Sequence, residues 1–167
     1  MAYHKNSVRD RRRALLGLAV SVAAVLAVSV IGGLVTAGSI EGWYRALAKP
    51  SFNPPDWLFG PVWTALYLMM AWAAWRIWRT AGLAGRGRTA LLLYAAQLAL
   101  NLGWTLLFFG AQQVGWALAE LIVLFIAILA TAWAFARIDR LAAWLLVPYA
   151  AWVVFAGLLN AAILQLN

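Results

Sequence analysis

Five runs of apolar residues, at about 14–37, 61–79, 89–109, 114–136 and 141–165, divide this chain of 167 residues. Each is long enough to cross a hydrocarbon core of about 30 Å as a helix. Polar residues collect between them: a tail over 1–13, a connection over 38–60, then RTAGLAGRGR at 79–88, Gly110-Ala111-Gln112-Gln113 and Arg137-Ile138-Asp139-Arg140. The pattern predicts an all-α integral membrane protein, a single domain of five transmembrane helices over 14–167 preceded by a basic tail over 1–13. The last three connections are short, so helices two to five are expected to be antiparallel neighbours. A 66% hydrophobic content, 11% charged residues and a mean hydropathy of +0.84 exclude an ordinary soluble domain.

The formal charge of +8 is not spread as a nucleic-acid footprint would be; it sits at the ends of apolar runs, so no nucleic-acid partner is expected. The tail (Lys5, Arg9, Arg11, Arg12, Arg13), the second connection with its flank (Arg76, Arg79, Arg86, Arg88) and the fourth (Arg137, Arg140) hold eleven of the thirteen basic residues. Only Arg45 and Lys49 fall on the other side. The positive-inside rule puts the N-terminus in the cytoplasm and both the 38–60 connection and the C-terminus outside. The first run, about 24 residues, exceeds a signal-peptide core and reads as an uncleaved span, with Arg11-Arg12-Arg13 as its topology anchor.

Catalytic chemistry is scarce. There is no cysteine, and the single histidine, His4, lies in the tail. Thiolate metal sites, haem ligation by imidazole and acid–base work by a buried histidine are therefore excluded. No metal ligands, no catalytic dyad and no required cofactor are expected.

The connection from Trp43 to Trp63, WYRALAKPSFNPPDWLFGPVW, carries four of the five prolines (Pro50, Pro54, Pro55, Pro61) and three of the eleven tryptophans. Prolines lower the entropy lost on ordering, and indoles close over apolar groups, so it reads as a lid. Polar side chains inside spans are costly and point to the protein interior. Gln97, Asn101, Trp104 and Phe108 fall on one stripe of helix three at helical spacing. Trp63, Tyr67, Met70 and Ala74 do so on helix two, and Trp152, Phe155, Ala156, Leu159 and Asn160 on helix five. Each amide alone reads as an interhelical bridge worth ~0.6–2 kcal/mol. Together, under an aromatic lid, they read as an apolar cavity with a few orienting amides, suited to a flat hydrophobic molecule. Glu120 is the one acid well inside a span. A proton-coupled small-molecule exporter would use it; a carboxylate near the start of helix four is the plainer reading. Small-residue spacings such as Gly17 and Ser21, or Ala127, Ala130 and Ala134, permit close helix contact and a homodimer.

Three stretches, WYRALAKPSFNPPDWLFGPVWTALY, YAAQLALNLGWTLLFFGAQQVGWALAE and LLVPYAAWVVFAGLLN, resemble the TspO/MBR family of tryptophan-rich sensory proteins, translocator proteins and peripheral benzodiazepine receptors. The resemblance runs from about Trp43 to Asn160. It implies a five-helix membrane bundle, commonly dimeric, that binds porphyrins such as protoporphyrin IX and, in animal members, cholesterol and drug ligands. Carried over residue by residue, it assigns the pocket to Trp43, Tyr44, Pro54, Trp63, Gln97, Asn101, Trp152 and Ala156; helix spacing adds Trp104 and Phe155. It further implies a tetrapyrrole-binding sensor or transporter in a bacterial cytoplasmic membrane, with porphyrin as ligand, membrane lipid around it and a second copy as partner. The alternative within the family is a light-dependent porphyrin-degrading enzyme in which Trp63 and Trp152 take part. Two departures stand out. The C-terminal LLNAAILQLN has no tyrosine followed by a basic residue, so the animal cholesterol motif is absent. NLGWTLLFF lacks the prolines of animal members, leaving the bend of helix three open.

Overall fold

The structure, a computed structural model, describes the backbone of residues 2–167 and the side chains of 11–167; the side chains of His4, Lys5 and Arg9 lie outside the described residues. Helix α1 (Ala2–Ser39) runs into a π turn at Ile40–Tyr44; α2 covers Asp56–Ala81 and α3 Gly85–Thr105, which continues as a second π turn at Leu106–Gly110. Next come α4 (Val114–Ala136), the short α5 (Arg140–Trp144) and α6 (Val147–Leu166). Among the described residues, five segments are long and apolar enough to cross a membrane: Arg11–Tyr44, Asp56–Ala81, Gly85–Gly110, Val114–Ala136 and Arg140–Leu166. No strand occurs among the described residues.

Several boundaries differ from the sequence reading: α1 runs back through the basic stretch to Ala2, and α3 starts at Gly85. The 38–60 connection is mostly helical: α1 and its π turn extend through Tyr44, two more helical residues come after it, and α2 starts at Asp56, leaving 47–55 as the loop. Pro54 and Pro55 bar helix just ahead of Asp56, whose carboxylate suits the positive end of α2. Pro61, expected to open the second helix, lies inside it. The fifth helix is broken at Leu145–Leu146. Pro148 cannot donate to the carbonyl four residues back, and the chain closes the gap with tighter turns, Leu146 N–H donating to Ala143 O at 3.0 Å. Hydropathy alone does not register this fifth proline, because the residues on both sides of it are apolar.

The spans form a ring. α1 packs on α2 and α3, α3 on α2 and α4, and α4 on α5 and α6, while α2 touches α5. Alanines at 71, 73 and 74 of α2 are buried and let neighbouring backbones come close, with Met70, Ile77, Leu124, Ile128, Phe135 and Tyr149 filling the centre. Lipid tails are as apolar as leucine, so such close packing, rather than burial itself, holds the bundle.

At the arginine-rich end, Arg76 clamps α2 to the α4–α5 turn: its Nη2 lies 2.7 Å and its Nε 2.8 Å from Asp139 Oδ2. Asp139 Oδ1 accepts from the N–H groups of Leu141 (2.9 Å) and Ala142 (3.2 Å), capping α5.

Helix α1 changes partners along its length. Near this end Gly17 lies against the Trp78 ring and Trp75 Nε1 donates to Ala14 O at 2.8 Å, so α1 sits on α2. Towards the loop, Gly32 faces Thr105, Val35 packs on Gly110 and Ser39 Oγ donates to Phe109 O, so α1 has crossed to α3. Val25 is its one fully buried side chain among the described residues.

Candidate ligand cavity

The crossing of α1 opens a cavity of about 420 Å³ in the loop half of the bundle, within the range of small-molecule sites. Helix α1 gives it a small-residue wall of Ser29, Gly32, Gly33, Thr36 and Ala37. From α2 come Asp56, Phe59, Gly60, Trp63, Thr64 and Tyr67, and from α6 Trp152, Ala156, Leu159, Asn160 and Ile163. Trp104 and Thr105 of α3, with Phe108 and Phe109 of its π turn, close the far side. A π turn inserts one extra residue and rotates the helix beyond it, which is how both Phe108 and Phe109 reach the cavity. The other π turn brings in Ile40 and Tyr44, and Tyr44 packs on both rings, 6.3 Å from Phe108 and 5.5 Å from Phe109.

The walls are aromatic pairs in favourable geometry. Trp104 stacks on Phe108 at 5.2 Å, Trp63 tilts on Tyr67 at 5.3 Å, and Phe59 meets Trp152 edge-on at 5.8 Å. No lining residue is basic; the nearby cation is Lys49, whose Nζ lies 4.5 Å above the Tyr44 ring. Over the top the 47–55 loop is tied down. Tyr44 Oη donates to Asn53 Oδ1 at 3.2 Å, and Phe52 meets Phe155 at 6.4 Å.

Of the ten residues expected to bind ligand, Tyr44, Trp63, Trp104, Trp152 and Ala156 line the cavity together. The other five do not. Trp43 supports Phe108 from behind, edge-on at 5.5 Å, and Phe155 sits between Trp152 and the loop's Phe52. Pro54 lies in the loop, its carbonyl accepting from Asn53 Nδ2 at 3.0 Å. Asn101 is buried beneath the floor and accepts from Tyr67 Oη at 2.8 Å, the bridging role that a lone amide in a span suggests. Gln97, one turn deeper, is fully buried away from the cavity, and neither amide atom has a hydrogen-bond partner among the described residues. Glu120 also stands outside the lining; its buried carboxylate faces Gly103 of α3.

Helical spacing puts Tyr67, Phe108, Leu159 and Asn160 on the right stripes, and all four line the cavity. The sequence reading set the ligand among helices one, two, three and five but named no lining residue on the first: residues such as Gly32 and Gly33 carry no chemical signal, and only the crossing angle exposes them to the cavity.

Chemically, the site can hold a flat apolar body between indole and phenyl faces, with hydroxyls and the Asp56 carboxylate at its edges and one cation, Lys49, beside Tyr44. The profile of the TspO/MBR family matches residues 21–166. Over 153 residues the chain is 44% identical to the "Tryptophan-rich protein TspO" of Chlorobaculum tepidum, covering 92% of this chain and 97% of that protein. It is 43% identical over 139 residues to the "Tryptophan-rich sensory protein" of Cereibacter sphaeroides (81% and 85%). The human "Translocator protein" is 42% identical over 131 residues (78% of each). A five-span membrane bundle matched by the family profile over nearly its whole length, and by relatives of this identity, belongs to the TspO/MBR family.

Proposed function

We propose that this chain is a membrane tetrapyrrole-binding sensor or transporter, its ligand a protoporphyrin-like macrocycle held in the α1–α2–α3–α6 cavity beneath the 47–55 loop. The observation that carries the reading is the pairing of Trp63 and Trp152 on a cavity whose lining is aromatic and small, with Lys49 at its mouth. A macrocycle has two apolar faces for the indoles and acidic side chains on one edge. That edge would lie towards Lys49, because the interior offers it no basic group, and a carboxylate deep in an apolar site is strongly disfavoured. Tyr67 and the hydroxyls of Thr64 and Thr105 would meet the remaining edge. Titrating protoporphyrin IX into the protein in lipid nanodiscs should quench tryptophan emission saturably. Unchanged affinity in the Trp63→Ala, Trp152→Ala double variant would sink the assignment.

Electron-rich indoles at the cavity surface also favour a second reading, light-dependent breakdown of the bound pigment with dioxygen as oxidant. Illuminating the complex in air separates the two: a binder leaves the Soret band intact, a degrader loses it, and the double variant slows that loss. Proton-coupled export through Glu120 draws less support, since that carboxylate does not face the cavity.

A further inference from the structure

We propose that the ligand reaches this cavity sideways from the bilayer, through a portal between the loop halves of α1 and α2, and not from water beneath the loop. The proposal rests on the ligand reading above for its cargo, and on the geometry of the walls for its route.

Three sides of the cavity are closed by contacts already described. Trp104 and Phe108 stack on the α3 side, Phe59 meets Trp152 between α2 and α6, and α1 is fastened to α3 at Gly32–Thr105, Val35–Gly110 and Ser39–Phe109. The loop above is closed as well. Besides the Tyr44–Asn53 and Phe52–Phe155 ties, the Asn167 side chain clasps the loop at both ends of one residue. Its Oδ1 accepts from Ala48 N–H at 3.0 Å and its Nδ2 donates to Ala48 O at 3.1 Å. Such a two-point amide clasp, with Lys49 over Tyr44 beside it, resists lifting more than a single bond does.

Between α1 and α2 the situation is different. Gly33 and Ala37 on α1 and Gly60 and Thr64 on α2 line the cavity and are exposed. A side chain built at Gly33 or at Gly60 meets nothing within 4 Å. Towards the other end the two helices meet at Gly17–Trp78 and Ala14–Trp75. The aperture therefore faces lipid tails along its length and ends near Lys49. Helix α1, with Val25 alone fully buried among the described residues, is the span least buried by its neighbours.

That shape suits one chemical class: flat amphiphiles dissolved in the bilayer with one acidic edge. Such a molecule already lies with its apolar body among lipid tails and its carboxylates at the headgroups. It can slide between α1 and α2 without turning, its charged edge staying at the level of Lys49. Passage under the loop would instead require an apolar body to cross water.

The test compares rates in phosphatidylcholine proteoliposomes preloaded with protoporphyrin IX, measured by tryptophan quenching. Gly33→Trp or Thr64→Trp narrows the portal; a short bis-maleimide joining Ala48→Cys to Asn167→Cys, in a chain without other cysteines, locks the loop. The expected result is association and dissociation each slowed about tenfold by the rim substitutions, whereas mere loss of cavity contacts would speed dissociation, and wild-type rates in the cross-linked protein. Wild-type rates in both rim variants, or slowing by the cross-link as great as theirs, overturns the proposal. Should the wild-type protein not quench at all, the tetrapyrrole reading fails and the route is read separately from Ala156→Cys. A maleimide on a lipid acyl chain should label that cavity position faster than a charged water-soluble one, and Gly33→Trp should slow it; faster labelling by the charged reagent refutes the portal.

Discussion

The Trp104 indole donates from Nε1 to Asn160 Oδ1 at 3.3 Å, and the same amide donates from Nδ2 to the Val114 carbonyl at 2.9 Å. One buried side chain thus joins α3, α6 and the start of α4 while also forming part of the cavity wall. Asn160→Leu keeps the volume but strands an indole N–H, and the expected cost is about 1–3 kcal/mol, read as a lowered thermal midpoint in detergent micelles. A midpoint equal to wild type would mean that the three helices do not depend on this amide.

Ala156 lines the cavity from α6 beside Trp152. A larger side chain there fills the ligand's space without touching the helix contacts at the other end of the bundle. Ala156→Phe is expected to weaken protoporphyrin binding by at least about tenfold, roughly 1.4 kcal/mol, with the far-ultraviolet circular dichroism unchanged. Retained affinity with the same spectrum would place the ligand elsewhere.

Gly17 allows α1 to lie against the Trp78 ring, and a Cβ there would sit inside van der Waals contact of three ring atoms. Gly17→Ala should destabilise the bundle by about 1–3 kcal/mol, since the indole must shift to admit the methyl group. Trp78→Leu in the same chain should recover most of that loss. A double-mutant cycle in thermal denaturation checks it: additive effects would show that the two residues do not press on each other.

Partial burial alone would raise the Asp139 carboxyl, but the Arg76 hydrogen bond, the N–H groups of Ala142 and Leu141 and the Arg76 charge outweigh it and hold it below its ordinary value. A carboxyl lowered by folding contributes stability that is fully present above its unfolded value of about 3.9 and is lost as pH falls through the lower folded value. Wild type should therefore be more stable than Asp139→Asn at neutral pH, with the gap closing only below about pH 4. Thermal midpoints of both proteins from pH 7 down to pH 3 report this; a gap that persists at the acid end would rule out ionisation as its source.

Much of the fold was legible because the bilayer imposes it. A span in lipid must satisfy its own backbone, so long apolar runs became helices with few alternatives, and Arg137-Ile138-Asp139-Arg140 marked a turn on charge alone. Local chemistry was harder to read. Pro54 and Pro55 marked the stop ahead of α2, yet Pro61 was tolerated within it and Pro148 broke a helix that hydropathy joins.

The site divides in the same way. Period and residue type put Trp63, Trp104 and Trp152 on inward stripes, since a stripe is a property of one helix. Whether an inward residue meets a cavity or a neighbouring helix depends on where helices diverge. Asn101 and Gln97 share Trp104's stripe but lie deeper, where α3 is packed closely, so one bridges to Tyr67 and the other is enclosed. The number of spans and their polar stripes were thus set by one-dimensional pattern. The cavity, its α1 wall and its opening arise from the crossing of α1 from α2 to α3, which depends on contacts such as Gly17–Trp78 and Ser39–Phe109 between residues far apart in the chain.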